Sequence, residues 1–154
     1  MRRERLVSDN RSIVPANSNV IAATTTFRMQ FEPYLPASCP PNDAITGPKT
    51  LFRLTISDAI KASDFLTTHE EGKFLSGDPC QRCSLSTLAS EEAAKEHRRL
   101  IPFLNSRKIA KGTVPEGAGM IKHTPSQASY HHWSWWPARG VVRHEYFEMI
   151  DEAA

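Results

Sequence analysis

The sequence predicts a compact α+β domain, a mostly antiparallel sheet with one clear helix at residues 90–101, preceded by a proline-rich N-terminal arm. Three observations carry this expectation. Short β-branched and aromatic runs are separated by turn residues, one capped amphipathic stretch reads as a helix, and six of the eleven prolines fall within residues 1–49. At 154 residues the chain is long enough to bury one core without metals or disulfide staples. With its 7 glycines added, the 40% apolar share reaches about 45%, the lower edge of the globular range. The expected division is an extended or loosely ordered arm over 1–49 and a single α+β domain over 50–154.

Proline fixes φ and removes a donor, so "EPYLPASCPPNDAITGPK" cannot hold a long helix or a central strand. Within the arm, "NVIAATTTFRMQF" is denser in β-branched residues and is expected to add an edge strand. From Leu51 the two-residue period of a strand begins, with Phe52, Leu54 and Ile56 on one face and Arg53 on the other. "SDAIKASDFLTTHEEGK" offers Ser57 or Asp58 as a cap and Gly72 as a terminator for a short helix that breaks into a loop. "CSLSTL" reads as a brief strand.

"ASEEAAKEHRRLIPFL" is the clearest helix. Ser90 caps it, Glu91 and Glu92 lie at its positive end, Arg98 and Arg99 at its negative end, and Pro102 ends it. Ala94, His97, Ile101 and Leu104 form its core-facing stripe. "RKIAKGTV" and "GMIKHT" read as two strands, with "PEGAG" between them as a hairpin turn. "SYHHWSWW" reads as a further strand closed by Pro137, and "VVRHEYFEMIDEAA" as a strand or irregular entry turning helical.

A formal charge of +2 is too small a surplus to point to a nucleic-acid partner. No apolar run approaches the roughly 18 residues of a membrane span, and the basic N-terminus lacks the apolar segment of a secretory signal. Cys80 and Cys83 in "CQRC" stand at a zinc-ligand spacing, yet no recognisable second pair of ligands accompanies them, and they precede a strand rather than open a helix. Ordinary free thiols, no metal and a cytoplasmic location are therefore expected.

The aromatic stretch 129–140 holds all three tryptophans. As a strand it sends His131, Trp133 and Trp135 to one side and Tyr130, His132, Ser134 and Trp136 to the other. Each face carries indole and imidazole, so it either packs structurally, with every indole N–H finding an acceptor, or lines a pocket. "PEGAGM" lacks the lysine and the strand-before, helix-after setting of a phosphate loop, and no "GxSxG" turn presents a nucleophile.

An arginine on the first strand of the folded part, in "TLFRLT", followed by a helix and loop and then "SLSTLASEEAAKEH", resembles the organisation of small bacterial proteins with an ADP-ribosyltransferase-like fold. The likeness covers roughly residues 50–125. A "DFL…G…LS…A" pattern, Asp64-Phe65-Leu66, Gly72, Leu85-Ser86 and Ala93 or Ala94, is similar to that of a further group of bacterial proteins. The first resemblance implies NAD as cofactor, with Arg53 on phosphate or ribose, Ser86 and Thr87 ordering the nicotinamide ribose, and Tyr130 or Trp136 stacking on a ring. A guanidinium suits the pyrophosphate because it donates paired hydrogen bonds, and a carboxylate suits the oxocarbenium charge of glycosidic cleavage. Glu145 and His132 are the catalytic candidates. Glu116, Glu145 and Glu148 depart from the family's close Glu/Gln-x-Glu arrangement. Two functions follow as expectations: an ADP-ribosyltransferase-like enzyme acting on NAD or a related phosphate ester, or a non-catalytic protein-binding module using segment 129–137 and the arm. The matching partners are a nucleotide-type small molecule and a protein.

Overall fold

The alternation at Leu51 is realised in strand β2, Lys49–Thr55, which the computed structural model places after a two-residue strand β1, Ile45–Thr46. The structure describes residues 29–73, 77–150 and 152. The other strands are β3 (Leu85–Leu88), β4 (Lys108–Val114), β5 (Gly119–His123), β6 (His132–Pro137) and β7 (Phe147–Met149). Among the described residues these form one seven-stranded sheet in the order β1-β5-β6-β3-β2-β4-β7. Every neighbouring pair is antiparallel. The expected α+β class, mostly sheet, is what the chain adopts.

The order forces the sheet to curl. Only Gly47 and Pro48 separate β1 from β2, so Thr46 and Lys49 lie at most about 11 Å apart, yet four strand spacings of a flat sheet would span about 19 Å. The ladder follows the bend, running from Ile45↔Ile121 and Thr46↔Met120 to Lys49↔Val114. Glycine is required at this corner, because a Cβ on Gly47 would collide with the Val114 carbonyl. Gly119, with φ of +133°, sits against the Trp136 carbonyl in the same way.

This corner also corrects the hairpin expected at 115–119. The chain turns there, with Ala118 N–H donating to the Pro115 carbonyl at 3.1 Å, but β4 pairs with β2 and β7 while β5 pairs with β1 and β6. Local turn chemistry made the bend, and the partners were decided elsewhere in the chain.

The main helix, α2, spans Glu91–Leu100 and follows a one-turn helix α1 at Pro79–Arg82. Ser90 Oγ accepts from Ala93 N–H at 3.0 Å, as the capping pattern predicts. Ala93 and Ala94 bury against Phe52, Leu88 and Ile109 on one face of the sheet. Leu51, Phe65, Leu85, Ile121, Trp135 and Phe147 fill the other. The helix expected after Ser57 contracts to a 3-10 turn at Ala62–Phe65, and the tail runs in reverse of expectation, a 3-10 turn at Arg143–Tyr146 followed by β7.

Residues 29–49 dock onto the rest. Tyr34 stacks on His69 at 4.4 Å and donates to Glu70 at 2.7 Å. Arg139 N–H donates to the Gln30 carbonyl at 2.7 Å, Lys122 pairs with Asp43, and Ala44 is buried. Cys39 and Cys80 form a disulfide and Cys83 is the remaining, buried thiol. The expectation of a free thiol at Cys80 is thus corrected; the pairing joins residues 41 apart and leaves no trace in local spacing. The edge strand expected over 19–31 lies, but for its last three residues, outside the described residues. No helix of the described residues is long and apolar enough to cross a membrane.

Candidate functional site

β2 and β3 touch at a single pair, Phe52↔Leu88, and then part. Ala89 N–H donates to the His131 carbonyl, so by the two-residue period the backbone of Ser86 turns toward β2 rather than toward β6. No strand meets it there. The Arg53 guanidinium does, donating from Nη1 to the Ser86 carbonyl at 2.8 Å and from Nε to the Asp64 carbonyl at 2.8 Å. Arg53 therefore holds open the joint that it also bridges.

A cavity of about 330 Å³ occupies this joint, bordered by Arg53, Ser86, Thr87 and His132 and, from beyond the strands, by Glu71, His97, Phe103 and Arg107. It lies at the small end of the roughly 300–1,000 Å³ typical of small-molecule sites. Burial pushes the Arg53 pKa down to about 10, opposed by the nearby charges of Asp64 and Glu71, so the group stays cationic at neutral pH.

His132 is fixed by its neighbours. Its Nδ1 lies 3.0 Å from the Thr124 carbonyl and 2.9 Å from the Thr124 hydroxyl. A carbonyl only accepts, so Nδ1 carries the hydrogen and Nε2 of the neutral ring is left as an acceptor. The Thr124 hydroxyl also contacts Ser134 Oγ at 2.7 Å, which accepts from the Gln81 amide, so α1 is tied into the same polar chain. Burial pushes the His132 pKa down; the Thr124 backbone opposes this, and His97 and His123 add repulsion. Burial likewise lowers the pKa of His97, against a backbone hydrogen bond at Ala128. The Nδ1 of His97 is buried with no hydrogen-bond partner among the described residues, a state costing about 1–3 kcal/mol.

Of the residues singled out in the sequence, Arg53, Ser86, Thr87 and His132 border this one cavity. Thr87 does so without offering its hydroxyl, which donates to the Trp133 carbonyl at 2.9 Å. Trp136 stands apart. It shares the His132 face by parity but lies four residues along the strand, about 13 Å away, buried with its N–H on the Cys80 carbonyl. Trp135 is buried too, its N–H on the Ala118 carbonyl, so these two indoles meet the condition for structural packing. Tyr130 precedes β6, is 69% exposed and faces His123 and His131 instead. Glu145 is also outside the cavity; the 3-10 turn Arg143–Tyr146 carries it to a separate cleft with Lys111 and Thr113.

Sequence reasoning missed Glu71, Phe103 and Arg107 as site residues and read His97 as core stripe. The only signal for His97 was a titratable ring among alanines on the buried face of the helix. Glu71, in the loop after the 3-10 turn, had none. Phe103 is 74% exposed at the cavity edge, an aromatic at the mouth in place of the expected Tyr130 or Trp136. Compared with known proteins, the chain matches no family model, no curated protein and no solved structure.

Proposed function

We propose that the protein is an enzyme that takes a nucleotide-type phosphate ester, with NAD as the first candidate, into the cavity between β2 and β3. The observation that supports this most is the convergence of Arg53, Ser86 and His132, far apart in sequence, on one hollow. Arg53 and Arg107 supply positive charge for phosphate, and Phe103 supplies an exposed ring for stacking at the mouth. In an ADP-ribosyltransferase-like reaction the carboxylate facing developing oxocarbenium charge would be Glu71, since Glu145 borders another cleft. The cavity volume suits one nucleotide moiety, so a dinucleotide would leave its second half across the rim near Phe103.

Thermal-shift titration with NAD, ADP-ribose and AMP tests the reading. Ligand at one hundred times its dissociation constant adds about 2.7 kcal/mol to native-state stability, and Arg53→Met should abolish the rise. A flat response to all three ligands would remove the proposal. A cytoplasmic location stays part of this reading, with the Cys39–Cys80 bond weighing against it, because such bonds persist in oxidising compartments.

The second reading, a protein-binding module, draws on one observation. Tyr130 and His131 are exposed beside Trp133, over whose ring Lys49 Nζ sits at 4.4 Å. Burial of Trp135 and Trp136 leaves that surface only the front end of the aromatic segment.

A further inference from the structure

The cavity carries two imidazoles, and glycosidic cleavage of NAD gives work to only one. Nicotinamide leaves a cationic N-glycoside as a neutral molecule and needs no proton. A bond from phosphorus to an alkoxide is different, since the attacking water must lose a proton and the departing oxygen must gain one.

We infer that His132 and His97 form an acid–base pair acting on a nucleotide phosphodiester held by Arg53 and Arg107. The inference rests on the proposed nucleotide binding and names the bond attacked. His132 comes from β6 and His97 from α2, both border the same hollow of about 330 Å³, and His97 is near enough to repel charge on His132. Thr124 holds the His132 ring with Nε2 as acceptor, the state of a base. The His97 ring borders the same hollow, and its buried Nδ1 has no hydrogen-bond partner among the described residues.

The step balances with water alone. Water oxygen bonds to phosphorus as His132 Nε2 takes its proton, the P–O bond to the leaving sugar oxygen breaks, and that oxygen takes a proton from His97, whose imidazolium burial disfavours in the free protein and the charge of the bound diester favours. The products are a phosphomonoester and an alcohol. The two rings have then exchanged charge, and proton exchange with solvent resets them. Arg53 and Arg107 face the negative charge gathered on the non-bridging oxygens.

The test uses the full chain and 2′,3′-cyclic AMP, with ring opening to adenosine monophosphate followed by ³¹P NMR and binding followed by thermal shift. Ring opening is expected, with His132→Gln and His97→Gln each losing at least a hundredfold in rate while cyclic AMP still raises their melting temperatures. Glu145→Gln, outside the cavity, should turn over as the parent does. Binding without ring opening, or turnover that survives both histidine substitutions, overturns the inference and leaves the nucleotide reading standing. Release of nicotinamide from NAD with the cyclic diester untouched overturns it in favour of glycosidic chemistry. Failure of cyclic AMP, AMP and NAD all to bind removes both.

Discussion

Arg53 and Arg143 donate to consecutive carbonyls, those of Asp64 and Phe65, yet the two side chains are left in different chemical states. Arg143 closes a fork on Glu70, with contacts of 2.7 and 2.8 Å. Burial pushes its pKa down but the carboxylate outweighs this and raises it. Glu70 is correspondingly satisfied by the guanidinium, the Thr67 N–H and the Tyr34 hydroxyl. Arg53 has two carbonyls in place of a carboxylate, and its pKa falls. Hydrogen bonds to neutral acceptors fix a guanidinium without cancelling its charge, so Arg143 is a clamp and Arg53 is a cation presented to a cavity.

Removing the tethers on the clamp side should have the largest effect. Cys39→Ser with Cys80→Ser opens a loop of 41 residues, and chain entropy puts the loss at about 4 kcal/mol. Denaturant unfolding measures it, and an unchanged midpoint would show that the bond constrains nothing. Glu70→Gln comes next. Burial pushes the Glu70 pKa up, but the Arg143 fork, the Thr67 N–H and the Tyr34 hydroxyl hold it at about 2 against 4.5 in the unfolded chain, a difference of about 3 kcal/mol. The folded-state value lies below the unfolded one. Stability from this carboxylate is therefore complete above about pH 4.5 and drains away as the pH falls toward 2, whereas the Gln variant should lack that part of the acid transition.

Arg53→Lys keeps the charge and loses the fork. Nucleotide affinity should fall about tenfold, roughly 1.4 kcal/mol, with a smaller change in melting temperature. Calorimetric titration with AMP would show this, and a variant with a lowered melting temperature but unchanged affinity would make Arg53 a second clamp. Tyr34→Phe removes one hydrogen bond to Glu70 and should cost about 1 kcal/mol in thermal unfolding. The four variants divide the comparison cleanly if three act on stability and only the Arg53 change acts on binding.

Strand β2, the Ser90 cap and the break at Pro102 were legible because each depends on neighbours within about four residues. The Arg143–Glu70 fork joins side chains 73 apart and had no local signature. Arg53 was legible as a strand residue pointing off the Phe52 face, but its destination was not, because that depended on β3 parting from β2 after one pair. The aromatic segment is a strand, as read, only from His132 to Pro137, with Tyr130 and His131 ahead of it. Which indoles were buried was set by the strands on either side of it, β3 and β5, and so lay beyond its own pattern.

By itself, the sequence determined the α+β class, the position of α2 with its cap, and the strand parity that puts Arg53 opposite Phe52, since these follow from backbone geometry and short-range spacing. Only the tertiary structure decided the partners of β4 and β5, the Cys39–Cys80 pairing, and the meeting of Arg53, Ser86, His97 and His132 around one hollow. Those depend on which distant segments come together when the sheet curls, and a chain's local pattern carries its faces but not its neighbours.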